Sequence, residues 1–352
     1  MGGHEAPWIS MLRRCPMQRW LVFGGCALSI ALAPLSVAQE TFWQTTSGPA
    51  TYPVQALAVT QDGVIFAGTD GGGVFRSEDG GLTWTPTNQG LTHPYISSLV
   101  IDPEGRIFAG TGSLSVGGSG VFRSDDRGET WRAVNTGLRN PHIVCLALDR
   151  SSGILYAGTW DLPRNPGGVF RSTDGGQTWT RASNGLKNPY VLSLAVAPNG
   201  ELYAGTGALR LSGTFGGGVF RSTDQGATWT EISAGMDDVP VTALLVTPQG
   251  HVLAGTFNGD IYRLLGRSWV RYFRFDAIVF SLLANAQGHL FAATYGAGVF
   301  RSTDGGRTWT EVNAGLNDRN VLSLALKPDD GRLFAGTATG SVFRSVVSTL
   351  VE

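Results

Sequence analysis

One stretch of this sequence decides the fold, and it reads Val191-Leu-Ser-Leu-Ala-Val196, Glu201-Leu-Tyr-Ala-Gly-Thr206, Gly218-Val-Phe-Arg-Ser222 and Thr228-Trp229. The same cassette recurs seven times, at intervals of about 40 to 50 residues. A unit of this size cannot bury a core of its own, so neighbouring copies must stack on one another. The Trp of each copy can be followed along the chain at Trp43, Trp84, Trp131, Trp179, Trp229, Trp269 and Trp309.

Each cassette contains four short segments with the residue pattern of β-strands. The first segment is almost continuously apolar, which is typical of an inner strand covered on both faces. A turn such as Asn199-Gly200 follows it, and these are the residues that a tight hairpin with positive φ favours. Four antiparallel strands repeated seven times predict an all-β fold, a single seven-bladed β-propeller.

The two ends of the repeat complement each other. The last cassette stops after its third segment, Val342-Phe-Arg-Ser345, and a lone fourth segment, Thr41-Phe-Trp-Gln44, precedes the first cassette. We therefore expect the N-terminal strand to complete the last blade, which closes the ring and removes free sheet edges. Residues 39–352 are predicted to form this one propeller domain.

Residues 1–38 lie outside the repeat and have the pattern of a signal peptide. Basic residues precede an apolar run, Trp20 to Ala38, which ends in Ser36-Val-Ala38. We expect cleavage near Ala38, an extracytoplasmic mature protein (periplasmic or secreted) and no membrane span after cleavage. A retained membrane anchor is the alternative, because the run is long enough to cross a bilayer. Three start codons stay open, at Met1, Met11 and Met17.

Composition excludes several classes of function. The net charge of −1 provides no basic surplus for phosphates, so a nucleic-acid partner is not expected. Cys145 is the one cysteine outside the leader, which excludes an intrachain disulfide, and it takes the place of a small buried residue. No metal or cofactor motif appears, because the histidines His93, His142, His251 and His289 are scattered along the chain.

The turn between the third and fourth segments carries Ser-x-Asp-x-Gly-x-Thr-Trp five times. This motif resembles the Asp-box of BNR repeats, and the chain is therefore similar to Asp-box propellers such as the photosystem II assembly factors. Asp and Ser side chains can accept hydrogen bonds from turn amides that no strand satisfies. Five equivalent carboxylates around a ring cannot converge on one substrate. We therefore predict a structural role for Asp79, Asp126, Asp174, Asp224 and Asp304.

The resemblance directs attention to the opposite face, where loops join the second strand to the third. These loops are long in three consecutive blades, at 112–119, 160–167 and 207–217. In the same three blades an aromatic residue precedes the inner strand. Aromatic and polar side chains together suit a polar organic ligand or an extended peptide. The candidate ligand-binding residues are Tyr95, His142, Trp160, Asp161, Arg164, Tyr190, Arg210 and Phe215.

Two classes of function remain. By resemblance to the assembly factors, the chain is a monomeric, noncatalytic scaffold that binds a protein, a membrane-protein segment or a glycan. The alternative is a glycoside hydrolase, by more distant resemblance to sialidases and xyloglucanases. Such an enzyme needs two carboxylates about 5 to 10 Å apart. Of the carboxylates expected on the loop face, Asp161 alone falls within the three blades with long loops, so the scaffold is the preferred interpretation.

Overall fold

A computed structural model of the chain describes residues 41–49, 51–113, 116–162, 164–210 and 213–349. The side chains of residues 209, 210 and 213–215 lie outside this description, as do the leader and its predicted cleavage site. The described residues form 28 strands, arranged in seven four-stranded antiparallel sheets. The prediction of an all-β, seven-bladed propeller is confirmed.

The strands follow the cassette order, with one strand ahead of the first blade. That strand is β1 (Trp43–Thr45). Blades 1 to 3 contain β2 (Val54–Val59), β3 (Ile65–Thr69), β4 (Gly73–Ser77), β5 (Thr85–Pro86); β6 (Ile96–Ile101), β7 (Ile107–Ser113), β8 (Gly117–Ser124), β9 (Arg132–Ala133); β10 (Ile143–Asp149), β11 (Ile154–Thr159), β12 (Gly168–Ser172) and β13 (Thr180–Arg181). Blades 4 to 7 contain β14 (Val191–Val196), β15 (Leu202–Arg210), β16 (Gly213–Ser222), β17 (Thr230–Glu231); β18 (Val241–Val246), β19 (Val252–Thr256), β20 (Asp260–Leu265), β21 (Ser268–Arg274); β22 (Ile278–Ala284), β23 (Leu290–Tyr295), β24 (Gly298–Ser302), β25 (Thr310–Glu311); β26 (Val321–Leu326), β27 (Leu333–Thr337) and β28 (Val342–Ser345).

The N-terminal strand closes the ring, as the complementary ends predict. The seventh sheet has the order β1-β28-β27-β26, and Trp43 lies opposite Ser345 in the antiparallel register. The indole nitrogen of Trp43 also donates to the carbonyl of Val312 in blade 6, at 2.6 Å. The outermost strand of blade 7 therefore comes from the other end of the described chain.

The hydrophobic core lies between blades. A typical cluster joins Phe66 of blade 1 to Ile107 and Trp131 of blade 2, all at most 4 % exposed. The Trp side chains also form hydrogen bonds across the seams, because the indole N–H would otherwise be buried without a partner. At 2.8 Å each, Trp131 donates to the Thr87 carbonyl, Trp179 to that of Val134 and Trp229 to that of Ala182.

Each Asp-box closes its own turn through the same hydrogen bonds. In blade 4 the Asp224 carboxylate accepts from the Thr228 amide at 2.8 Å and from the Thr228 hydroxyl at 2.6 Å. The Ser222 hydroxyl donates to this carboxylate at 2.7 Å and accepts from the Gly226 amide at 2.9 Å. These bonds hold the pKa of Asp224 at about 2, so the carboxylate is charged at neutral pH.

An Arg of the third strand connects five of the blades to the Asp-box of the next blade. The two exceptions are the Arg residues of blades 4 and 6, because the blades that follow them, 5 and 7, carry no Asp-box. Arg221 of blade 4 donates to Glu201 at 3.1 Å, and Arg301 of blade 6 lies 3.1 Å from Nδ1 of His289. The other five Arg donate from Nη1 to a box carbonyl, Arg76 to Arg127, Arg123 to Gly175, Arg171 to Gln225, Arg263 to Gly305 and Arg344 to Gly80, at 2.9–3.5 Å. The repeated Arg is thus a contact between blades wherever the next blade carries an Asp-box.

Candidate functional site

The long connections of blades 2 to 4 differ from one another in structure. In blade 2, β7 and β8 continue pairing to Ser113 and Gly117, and in blade 4, β15 and β16 continue to Arg210 and Gly213. Two of the three predicted loops are therefore largely extended hairpins, because continued pairing satisfies backbone groups that a loop would leave to water. The connection of blade 3 stays irregular, with a single bridge between Leu162 and Asn165.

Two asparagines that were not among the predicted residues support the connections of blades 3 and 4. The buried Asn140 donates to the carbonyls of Trp160 and Asn165, both at 2.7 Å, and accepts from the His142 amide at 3.0 Å. Asn188 plays the same part in blade 4. The available signal was an Asn-Pro-aromatic triplet before the inner strand, since Asn often accepts from the amide two residues on.

Three of the predicted residues meet in one aromatic cluster, formed by His142, Trp160 and Tyr190. The ring centroids of His142 and Trp160 are 6.4 Å apart with an interplanar angle of 30°, and those of Trp160 and Tyr190 are 5.1 Å apart at 70°. His142 is 4 % exposed, whereas Trp160 and Tyr190 are half-buried. The cluster thus presents two aromatic rings to solvent over a buried imidazole.

His93 and the predicted residue Tyr95 form a second aromatic pair, before the inner strand of blade 2. Their ring centroids lie 5.4 Å apart with an interplanar angle of 59°. Burial, and secondly the charge of His93, lower the pKa of His142 to about 4, so the imidazole is neutral at pH 7.

The other candidate residues have less direct roles in the cluster. Asp161 accepts from the Gly167 amide at 2.8 Å and so closes the blade 3 connection. Arg164 is exposed on the same connection. Arg210 pairs with Gly213 at the tip of the blade 4 hairpin, and Phe215 lies opposite Ala208, but the side chains of both candidates lie outside the described residues.

The described residues offer few groups suited to catalysis on this face. Burial raises the pKa of the Cys145 thiol to about 12, so it is no nucleophile at neutral pH. No three His, Cys, Asp or Glu within the described ranges are grouped as metal ligands. That same part of the chain also contains no apolar helix of membrane-spanning length. What the cluster can do is pack aromatic surface against a ligand.

Comparison with solved structures identifies several propellers of similar fold. The extracellular domain of BT4673 from B. thetaiotaomicron has a TM-score of 0.68 at 17 % identity, over 86 % of this chain and 40 % of that one. YCF48 bound to D1 peptide has 0.67 at 17 %, over 87 % and 95 %. The GH74 xyloglucanase from Xanthomonas campestris has 0.64 at 17 %, over 86 % and 53 %. At these identities the likeness establishes a shared fold alone.

Sequence comparison places the chain more directly. No curated protein matches it. A BNR/Asp-box repeat matches residues 300–311, which include the box of blade 6. The family described as the DUF6242 beta propeller domain matches residues 19–231, well over half of the 352 residues. This chain therefore belongs to the DUF6242 beta propeller domain family.

Proposed function

We propose that this chain is an exported, noncatalytic propeller that serves as a binding or assembly scaffold for a protein segment or another polar ligand. The observation that carries the proposal is the aromatic cluster on the face of blades 2 to 4. Trp160 and Tyr190 are half-buried rings in contact with each other. Aromatic rings held in this way offer a large apolar contact area, and a tyrosine adds a polar tip.

The support beneath the cluster favours binding by a preformed surface. Asn140 is completely buried and lies just before the inner strand of blade 3. Its side-chain amide donates to the carbonyls of Trp160 and Asn165, which lie near the two ends of the long connection in the same blade. Asn188 supports blade 4 in the same way, through the Gly216 carbonyl at 2.8 Å. Side chains on such a backbone lose little further freedom when a ligand arrives, which favours affinity.

The chemistry of the nearby titratable groups favours binding over catalysis. His142 has a pKa of about 4 and is 4 % exposed, which suits an imidazole that packs rather than one that exchanges protons at neutral pH. Asp161 already accepts a hydrogen bond from its own connection. A glycosidase needs a second carboxylate facing such a residue.

The class of ligand is supported by one of the similar structures. The YCF48 structure contains a D1 peptide, and that propeller is matched over 95 % of its length. We therefore propose a peptide segment, including one from a membrane protein, as the first class of ligand, and a glycan as the second. The predicted leader supports encounter with this ligand outside the cytoplasm.

Capture from the extracytoplasmic fraction of the source organism tests the proposal. The bait is compared with a Trp160→Ala/Tyr190→Ala double variant and with Leu82→Ala, which truncates a 44 % exposed residue of an Asp-box turn. We expect a protein that the bait and Leu82→Ala retain and that the double variant loses at least tenfold. Equal capture by all three refutes the aromatic site. If nothing is captured, a glycan array and hydrolysis of xyloglucan and sialyllactose follow, and sugar release would establish the hydrolase instead.

A further inference from the structure

Blade 5 departs from the other blades at its outer edge. It has no Asp-box, and the two-residue turn Gly266-Arg267 joins β20 directly to β21. β21 then runs for seven residues, whereas the fourth strands of the other blades have two or three. Within the described chain, the strand pairing of β21 is with β20 alone. The Trp269 amide at its start donates to the Ala234 carbonyl at 2.8 Å, and the residues after Trp269 form a sheet edge on the side away from β20.

This edge concentrates positive charge. The hairpin from Asp260 to Arg274 contains four Arg and one Asp, a net charge of +3 in a chain whose total is −1. The equivalent hairpins of blades 1, 2, 3, 4 and 6 have net charges between −1 and +1, because their acidic residues, including the Asp of the box, nearly balance one to three Arg. Charge of this kind on a sheet edge repels basic strands and attracts acidic ones.

A buried carboxylate orients two of the guanidinium groups. Asp260 is completely buried, and its Oδ1 lies 3.6 Å from both Arg271 Nη1 and Arg274 Nε. Arg271 Nη1 also lies 3.6 Å from Oδ2 of the exposed Asp237. Neither oxygen of Asp260 has a hydrogen-bond partner among the described residues. The two Arg side chains are still about half exposed, at 49 % and 53 %. They are therefore held at the edge while much of each guanidinium faces water.

Further side chains make the edge suitable for a peptide. The guanidinium carbons of Arg263 and Arg307 lie 5.7 and 5.5 Å from the ring centroid of Tyr272. Leu265 and Val270 are exposed by 45 % and 42 %, although both are large apolar residues. The hairpin therefore presents cationic side chains, at Arg267, Arg271 and Arg274, beside exposed apolar ones, and an extended segment with acidic and apolar residues would complement both.

We propose that β21 is a docking edge for an acidic peptide segment in extended conformation, which adds to blade 5 as a fifth strand. Backbone hydrogen bonds would provide the pairing, and carboxylates of the segment would meet Arg267, Arg271 and Arg274. A second copy of this chain fits less well, because two such edges would bring their arginines together. This surface is distinct from the aromatic cluster, so either proposal can fail without the other.

Binding of three fluorescein-labelled peptides to the full chain tests the proposal. The first peptide has seven residues that alternate Glu and Val, the second replaces each Glu by Lys, and the third places Pro at the centre of the first. Since Pro removes a donor and disfavours strand pairing, the third peptide keeps the charge without the strand. We expect the first to bind, the second not to bind, and the third to bind at least tenfold more weakly.

Three variants locate the binding. Arg271→Ala removes a guanidinium from the edge. Arg267→Ala changes an exposed turn residue, and this second variant keeps Asp260 together with Arg271 and Arg274. Arg132→Ala is the control, since Arg132 is a 54 % exposed residue of a fourth strand in blade 2. We expect about fivefold weaker binding for each of the first two and no change for the control. Absent binding of the Glu-Val peptide, equal binding of the Pro peptide, or equal losses for Arg132→Ala and Arg267→Ala would each overturn the proposal.

Discussion

Replacing Gly185 by Ala tests whether the seams between blades tolerate any displacement. Gly185 follows the fourth strand of blade 3 and has a φ of 83°. A Cβ atom at this position would lie 2.4 Å from the carbonyl oxygen of Trp229 in the next blade. Gly200 is the matched control, because its φ is 82° and a Cβ atom there would meet nothing within 4 Å.

The expected magnitudes differ for physical reasons. At both positions an L-residue in the left-handed region costs about 1 kcal/mol. At Gly185 the clash must also move Trp229, whose amide donates to the Asn184 carbonyl and whose indole donates to Ala182, each at 2.8 Å. Two weakened hydrogen bonds and the steric strain add roughly 2 to 4 kcal/mol. We therefore expect the free energy of unfolding to fall by about 1 kcal/mol in Gly200→Ala and by about 3 to 5 kcal/mol in Gly185→Ala.

Equilibrium urea unfolding, followed by tryptophan fluorescence and far-ultraviolet circular dichroism, measures both values. Blue-shifted fluorescence at zero urea establishes that each variant still buries its Trp side chains. The reasoning would be refuted if the two variants lost the same free energy of unfolding to within about 0.5 kcal/mol, which is roughly the usual error of such comparisons. The seam would then relax around a methyl group, and backbone conformation alone would explain both glycines.

Three further changes test the site and the ring. The pKa of His142 is about 4 in the folded chain and about 6.5 in the unfolded chain, so the unfolded chain binds more protons between these pH values. The free energy of unfolding should therefore fall by about 2 to 3 kcal/mol as the pH drops from 6.5 to 4.5. His142→Gln should remove most of that loss in urea titrations at the two pH values. Asp224→Ala should lower the free energy of unfolding by about 1 kcal/mol, because it leaves the Thr228 amide without its acceptor; no change would show that water replaces the carboxylate. Arg344→Ala and Arg171→Ala should each lower the free energy of unfolding by about 1 kcal/mol, because ring closure uses the same inter-blade hydrogen bond as an internal seam. A several-fold larger decrease for Arg344→Ala would contradict this.

The aromatic cluster shows how far the sequence can predict which residues meet on one face of the propeller. Blades 2 to 4 were identified because long connections and aromatic residues coincide there, and the structure places His142, Trp160 and Tyr190 in contact. Tyr95, predicted with them, instead pairs with His93. The supports Asn140 and Asn188 were missed, since their partners lie in a different segment.

The blade 5 edge shows the opposite limit. The absence of an Asp-box and the shorter turn after Arg263 are visible in the sequence. The length of β21 was not predicted, because the equivalent residues of the other cassettes form fourth strands of only two or three residues. The position of Asp260 between Arg271 and Arg274 depends on the register of the hairpin, where Asp260 lies opposite Arg274.

The sequence by itself determined the number of blades, their strand order and the closure of the ring. These follow from local requirements, since each turn needs its Gly and Asp, each inner strand its apolar run, and each end of the repeat its missing strand. Tertiary structure alone decided which blade each Arg contacts and which sheet edge carries surplus charge. Those properties depend on the stacking of blades, because stacking brings together residues about 50 positions apart whose identities no local pattern relates.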